Sequence, residues 1–98
     1  MSHMREYSIV LTKTYRKSFK KILRSGRHAD IEKLEEVISL LAAGRTLPAK
    51  YKNHSLAGDL EAYEECHIKD DLLLVYHKNK RDLILVLVDT GSHDDLFR

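Results

Sequence analysis

Two nearly continuous apolar runs late in the chain constrain its fold more than any other feature. They are Leu72-Leu73-Leu74-Val75-Tyr76 and Leu83-Ile84-Leu85-Val86-Leu87-Val88. Both fall far short of the ~18 residues that a membrane-spanning helix needs. Runs of this length and composition read as central strands covered on at least one face. The polar stretch Asn79-Lys80-Arg81-Asp82 between them predicts a turn, and so an antiparallel pair. Just upstream, Leu60, Ala62, Glu64, Cys66 and Ile68 alternate with Glu61, Tyr63, Glu65 and His67, the period of a third strand. A β-branched and aromatic run, Tyr7-Ser8-Ile9-Val10-Leu11, predicts a strand near the start of the chain.

Between the first strand and the rest, the period changes from two to that of a helix. Tyr15, Phe19, Ile22 and Leu23 form one apolar stripe, with lysines and arginines opposite. Thr12 or Thr14 is placed to cap this helix, and Gly26 to end it in a left-handed turn. A second helix opens at Asp30 and buries Ile31, Leu34, Val37, Ile38 and Leu41. Gly44 and Leu47-Pro48 stop it, and residues 49–59 read as a loop. The predicted order is therefore β-α-α-β-β-β: an α+β fold with a small antiparallel-rich sheet and a helical hairpin packed on one face.

A chain of 98 residues has room for one domain, burying roughly 60–65% of its unfolded surface. Met1-Ser2-His3 ahead of Met4 reads as an expression-vector remnant, which leaves residues 4–98 as a single domain. The lone cysteine excludes an internal disulfide, and no signal peptide is visible, so a cytoplasmic protein is expected.

The net charge of +2 is modest, but its distribution is uneven. Eight of the 17 basic residues precede residue 28, where Glu6 is the sole acid. Acids collect later, in residues 30–36, 59–65 and 89–95. Such asymmetry suits one face turned toward a polyanion; a solvated helix face explains the run of charge equally well.

His54, His67 and His93 all fall at predicted strand ends or in adjoining loops, where a small sheet brings them together. Asp71 joins them if the hairpin loop spans residues 68–70, which sets His67 opposite Asp71. If residues 69 and 70 alone form the loop, Asp71 pairs with Ile68 and points away. Histidine, with a reference pKa of about 6.5, can give a proton and take one near neutrality. Cleavage of ribonucleic acid needs little more. A base removes the 2′-hydroxyl proton, that oxygen attacks the adjacent phosphorus, and an acid protonates the departing 5′-oxygen. Taken singly, each histidine is more commonly a satisfied surface residue, and His28 and His77 read that way. Cys66 reads as a small core residue facing the helices. Zinc held by His54, His67 and His93 is chemically allowed, yet no paired ligand spacing supports it. No cofactor or metal is expected.

The segment Leu47-Pro-Ala-Lys-Tyr-Lys-Asn-His-Ser-Leu-Ala-Gly58 resembles the signature loop of the YafQ family, within the RelE/ParE superfamily of bacterial toxins. So do His67-Ile68 ahead of Asp71, the strand residues Leu73 to Tyr76, and Thr90-Gly91-Ser92-His93 followed by Leu96-Phe97. The likeness spans the chain from Met4. It implies a RelE-like fold and the toxin of a type II toxin–antitoxin pair, a ribosome-dependent mRNA endonuclease. Carried over by position, the implied site residues are His54, His67, Asp71, His93 and Phe97. His54 and His93 would act as acid and base, with His67 and Asp71 supporting the phosphate and its protons and Phe97 stacking on a base. Implied partners are a DinJ- or RelB-like antitoxin, the ribosome and mRNA, with no membrane and a monomeric free toxin. Lys13, Arg16, Lys17 and Lys20 on the first helix, with Lys50 and Lys52 in the loop, are the expected contacts to RNA phosphates.

Three departures stand out. Glu64-Glu65-Cys66 replaces the family's Arg-Asp-Xaa, Asp70-Asp71-Leu72 its Pro-Asp-Trp, and Asp89 an arginine. Losing a cation weakens phosphorane stabilisation, and Lys50, Lys52, Lys69 or Arg81 is the candidate replacement. The rivals are a non-catalytic, ParE-like gyrase inhibitor and an RNA-binding module that does not cut. The inhibitor would not need the three histidines and Asp71, whereas in the RNA-binding module that cluster would contact phosphate.

Overall fold

The structure, a computed structural model, describes residues 6–56 and 62–96. Its elements are β1 (Ser8–Leu11), α1 (Lys13–Arg24), α2 (His28–Ala42), a single 3₁₀ turn (Ala49–Tyr51), β2 (His54–Ser55), β3 (Glu64–Lys69), β4 (Leu72–Asn79), β5 (Ile84–Gly91) and α3 (His93–Leu96). The five strands make one sheet in the order β1-β5-β4-β3-β2. β1 runs parallel to β5, and the other pairs are antiparallel.

The core forms where Cys66, Leu74, Tyr76, Leu85 and Leu87 of the sheet meet Tyr15 and Ile22 of α1 and Leu34, Val37 and Leu41 of α2. That is the expected α+β architecture, with both helices laid on the sheet. Thr12 caps α1 by accepting from the Tyr15 amide, and its hydroxyl donates to the Val88 carbonyl at 2.6 Å. One side chain thus starts the helix and fastens it to β5, a cap worth about 1 kcal/mol. Gly26 follows α1 at a φ of +75°, the expected left-handed turn.

Several expectations need correction. Leu23 is 48% exposed and lies off the buried stripe. α1 packs chiefly on β5, and a single contact surface takes only the narrow face of Tyr15, Phe19 and Ile22. α2 begins at His28 rather than Asp30. The segment read as one long loop holds the 3₁₀ turn and β2, so His54 sits on a strand. The alternating segment forms β3 from Glu64 onward, and the part over residues 57–61 lies outside the described residues. Phe97 lies outside them too.

Candidate active site

A backbone reversal positions the first imidazole. Lys52 ends the 3₁₀ turn in the left-handed region at φ 48°, its N–H bonded to the Ala49 carbonyl, and this sends the next residues back along β3. Asn53 is then held from two sides: Tyr76 Oη donates to Asn53 Oδ1 at 2.6 Å, and Asn53 Nδ2 donates to Glu64 Oε1 at 2.9 Å. His54 Nδ1 lies 3.0 Å from the Lys52 carbonyl. A carbonyl only accepts, so Nδ1 carries a proton and Nε2 is left for chemistry.

That Nε2 points at Glu65, which is His54's cross-strand partner and is 3% exposed. Glu65 Oε1 lies 3.5 Å from His54 Nε2 and 3.8 Å from His67 Nε2. The two rings stand 6.4 Å apart and tilt by 40°. Glu65 and His67 share a face of β3 because Cys66, between them, turns into the core. Glu65 Oε2 is buried and finds no hydrogen-bond partner among the described residues. A buried carboxylate of this kind gains most when a neighbouring imidazole is protonated. One buried carboxylate thus lies within ion-pairing distance of two imidazoles.

The β3–β4 hairpin takes neither of the two registers considered. His67 pairs with Leu73 and Lys69 with Leu72, a shift at Ile68 absorbing the extra residue. The turn is Asp70-Asp71, so His67 and Asp71 do not face each other across the ladder. Burial explains the slip. Ile68 is driven into the core, and Lys69 Nζ reaches the buried carboxylate of Asp30 in α2 at 2.7 Å. Lys69 is thereby tied to α2 while still lining the cleft beside His67.

Asp71 still shares a space with His67. A cleft of about 610 Å³ is lined by Lys33 and Glu36 of α2, by Lys50, Tyr51 and Lys52, and by residues 67–71. Lys50 lies 5.1 Å above the Tyr51 ring. The cleft puts four lysines, a histidine, two aspartates and a glutamate around one opening, wide enough for a sugar–phosphate unit.

His93 reaches the same end of the sheet by register. His67 pairs with Leu73, and Leu73 with Gly91. Two strand spacings separate His67 from Gly91, roughly 10 Å. His93 opens α3 and is exposed. The approach is not a flexible turn, because β5 continues through Gly91 and a reciprocal cap follows. The Ser92 amide donates to Asp95 Oδ2 at 3.1 Å, and the Asp95 amide to Ser92 Oγ at 3.2 Å. Gly91 sits at φ +152°, and a Cβ there would meet Asp95 Oδ2 at 3.0 Å. The amide of Ser92, then its hydroxyl, hold the Asp95 carboxyl below its ordinary value, with Lys21 adding to the effect.

The remaining candidates divide. Asp89 accepts from Ser18 Oγ at 2.6 Å and from the Thr90 amide at 2.8 Å. This departure ties α1 to β5. Cys66 is fully buried, and burial, then Glu65 and Glu64, push its thiol up to about 12. His77 Nδ1 contacts the Ala62 carbonyl at 2.6 Å, far along β4 from His67. Lys13, Arg16, Lys17 and Lys20 line an outward groove with Arg24, sharing no residue with the Lys50–Lys52 cleft. Glu65 is the group that reading the chain undervalued. Its signal was present in the alternation, since a residue two before His67 on a strand must share its face.

Among the described residues, no helix is long and apolar enough to cross a membrane, and no group of three or more His, Cys, Asp or Glu could hold a metal ion. Residues 7–98 match the family described as the bacterial toxin of a type II toxin–antitoxin system, YafQ. The mRNA interferase toxin YafQ of Escherichia coli K12 is 37% identical over 76 residues, 76% of this chain and 80% of that protein. The fold superposes on the E. coli DinJ–YafQ complex with a TM-score of 0.83 at 31% identity, covering 95% of this chain and 100% of that one. A metal-bound toxin from Helicobacter pylori gives 0.84 at 41% identity, covering 93% and 99%. On sequence and fold together, the chain belongs to the YafQ family of type II toxin–antitoxin toxins.

Proposed function

We propose that this toxin is an mRNA interferase, like its E. coli relative, and that it cuts ribosome-bound message by metal-independent acid–base chemistry. The observation that carries the mechanism is the pair of imidazoles converging on one buried carboxylate beside a lysine-lined cleft. A neutral imidazole takes the 2′-hydroxyl proton. The 2′-oxygen attacks the adjacent phosphorus, and an imidazolium gives its proton to the departing 5′-oxygen. The products are a 2′,3′-cyclic phosphate and a 5′-hydroxyl. Each turnover leaves the base protonated and the acid neutral; His54 and His93 fill these two roles, and Glu65, which His54 shares with His67, passes to or from His54 the proton it must gain or lose between turnovers.

Lys50 and Lys52 neutralise the phosphate at the cleft mouth, and Asp71 orients groups within it. His93 supplies the third imidazole from the N-terminus of α3, and Phe97 stacks on a base. The α1 stripe of Lys13, Arg16, Lys17 and Lys20 holds ribosomal RNA. A DinJ-like antitoxin neutralises the toxin, and both act in the cytoplasm.

The test is to map cuts in mRNA during translation in vitro with the intact chain and with His93→Ala. Cuts that need ribosomes and fall on the order of 10²–10⁴ in the variant support the mechanism. Undiminished cutting by His93→Ala removes that residue from it. Silence of the intact chain even with ribosomes present overturns the nuclease reading.

A further inference from the structure

A second cavity, of about 330 Å³, opens at the Asn79 end of β4, between the sheet and the end of α2. Arg45, Lys78 and Lys80 line it, with Glu64 the one acid among its lining residues. Glu64 is already engaged, since Asn53 Nδ2 donates to its Oε1 at 2.9 Å. The cavity therefore keeps a surplus of positive charge. Lys78 and Tyr76 share a face of β4, and Lys78 Nζ sits 5.0 Å above the ring of the buried Tyr7. Burial pulls the Lys78 ammonium below its ordinary value, with Glu64 opposing and Lys80 adding. A cation in that setting gains from an anion brought beside it. The end of α2 does not repel one through open acceptors. Its last four carbonyls, of residues 39–42, accept the amides of Ala43, Arg45, Gly44 and Tyr7.

Position ties this cavity to the cleft of His67. Both lie along α2, Glu36 bordering the cleft and Leu41 the cavity, roughly 8 Å apart along the helix axis. Segment 47–53 is their shared wall: Lys50, Tyr51 and Lys52 face the cleft, and Leu47 and Asn53 face the cavity. We infer that the Arg45–Lys78–Lys80 cavity is a second RNA subsite, which holds a backbone phosphate of the same strand a short way from the phosphate that is cut. This rests on the nuclease reading above. A strand whose scissile phosphate lies beside His67 brings its neighbouring phosphates within reach of the cavity. Lysine and arginine contacts of this kind track a backbone and fix its register without reading bases. The strand would thus be held on both sides of the wall that leads into His54, and the susceptible phosphate would be placed by its neighbour as well as by the cleft.

The probe is a 2′-O-methylated adenosine hexanucleotide, which 2′-oxygen attack cannot cut. It is titrated into the full chain while backbone amides are followed by NMR and affinity by fluorescence anisotropy. The amides of Arg45, Lys78 and Lys80 should shift together with that of His67. The double variant Lys78→Gln, Lys80→Gln should bind the hexanucleotide about tenfold more weakly and flatten the slope of log affinity against log salt by about 0.7, the value for one phosphate of a single strand. Lys80→Glu, at an exposed position, should weaken binding in the same direction, and it decides if the double variant does not fold. Unshifted amides at all three residues, or unchanged affinity in a folded variant, would overturn the proposal. Inorganic phosphate or adenosine monophosphate shifting these amides at the same concentrations as the hexanucleotide would overturn it too, because a free anion would then be the ligand. So would a blocked hexaglutamate that binds there equally well. Cleavage of mRNA on ribosomes is read separately. A chain that binds the hexanucleotide in both places yet never cuts refutes the nuclease, and one that cuts while its Arg45, Lys78 and Lys80 amides stay unshifted refutes the second subsite.

Discussion

A carboxylate that is 3% exposed and faces two imidazole nitrogens does something that an amide of the same shape cannot. In the mechanism proposed above, it passes a proton to and from the ring beside it. Glu65→Gln keeps the volume and one acceptor oxygen but ends that exchange, so acid and base must re-equilibrate through water. Ribosome-dependent cleavage should fall about tenfold or more. The rate of the variant should rise with imidazole buffer concentration, whereas that of the original chain should not. A purely structural role for Glu65 would give the loss without the buffer dependence. Cys66, one residue on, supplies a control of opposite kind. Burial, then Glu65 and Glu64, raise its thiol to about 12. It should resist iodoacetamide at pH 8 in the folded chain and react once unfolded. A group raised in the folded state contributes its full stability below its unfolded value, about 8.5. That contribution is lost as pH climbs through 12, so thermal stability should drop above pH 9.

At the scale of elements, the small end helix decides whether His93 is in place. Gly91→Ala forces a side chain into φ +152° and against Asp95 Oδ2, undoing the reciprocal cap with Ser92. The cost should be about 1–3 kcal/mol, with cleavage falling further than stability because His93 moves with α3. Thermal melts and cleavage rates on the same samples separate the two effects. Asp95, held below its ordinary value by Ser92, contributes stability above its unfolded value, and that is lost as pH falls through the lowered one. Fraying of α3 should therefore begin below about pH 4 and remain small, because the group is solvated. Elements were unequally legible in the sequence. Both helices and the two long apolar strands announced themselves through period and caps. β2 did not, because two residues carry no period. The β3–β4 register did not either. It depends on Lys69 reaching Asp30, nearly forty positions earlier, and on Ile68 entering the core. The histidines were legible as a set, but the convergence of His54 and His67 on Glu65 was not, since it requires β2 to exist.

For the whole molecule, the question is how a chain of net charge +2 engages a polyanion. Its cations are concentrated on two surfaces, the α1 stripe and the Lys50–Lys52 cleft, while many of its acids are occupied. Asp30 holds Lys69, Asp89 holds Ser18, Asp95 caps α3 and Glu65 serves the histidines. A small net charge therefore conceals one strongly cationic face, the α1 stripe, and a cleft where lysines and acids are mixed, which association rates and salt dependence report and total charge does not. The faces should differ in what they control. Replacing Lys17 and Lys20 by alanine should weaken ribosome binding and reduce the slope of log affinity against log salt by about one for each phosphate left without its lysine. Cleavage of message already bound should change little. Replacing Lys50 and Lys52 should also lower the slope, and in addition slow single-turnover cleavage on saturated ribosomes, because these residues lie at the cleft beside His67. Equal effects of the two pairs on the single-turnover rate would mean that α1 reaches the scissile phosphate, and the division between docking helix and catalytic cleft would fall.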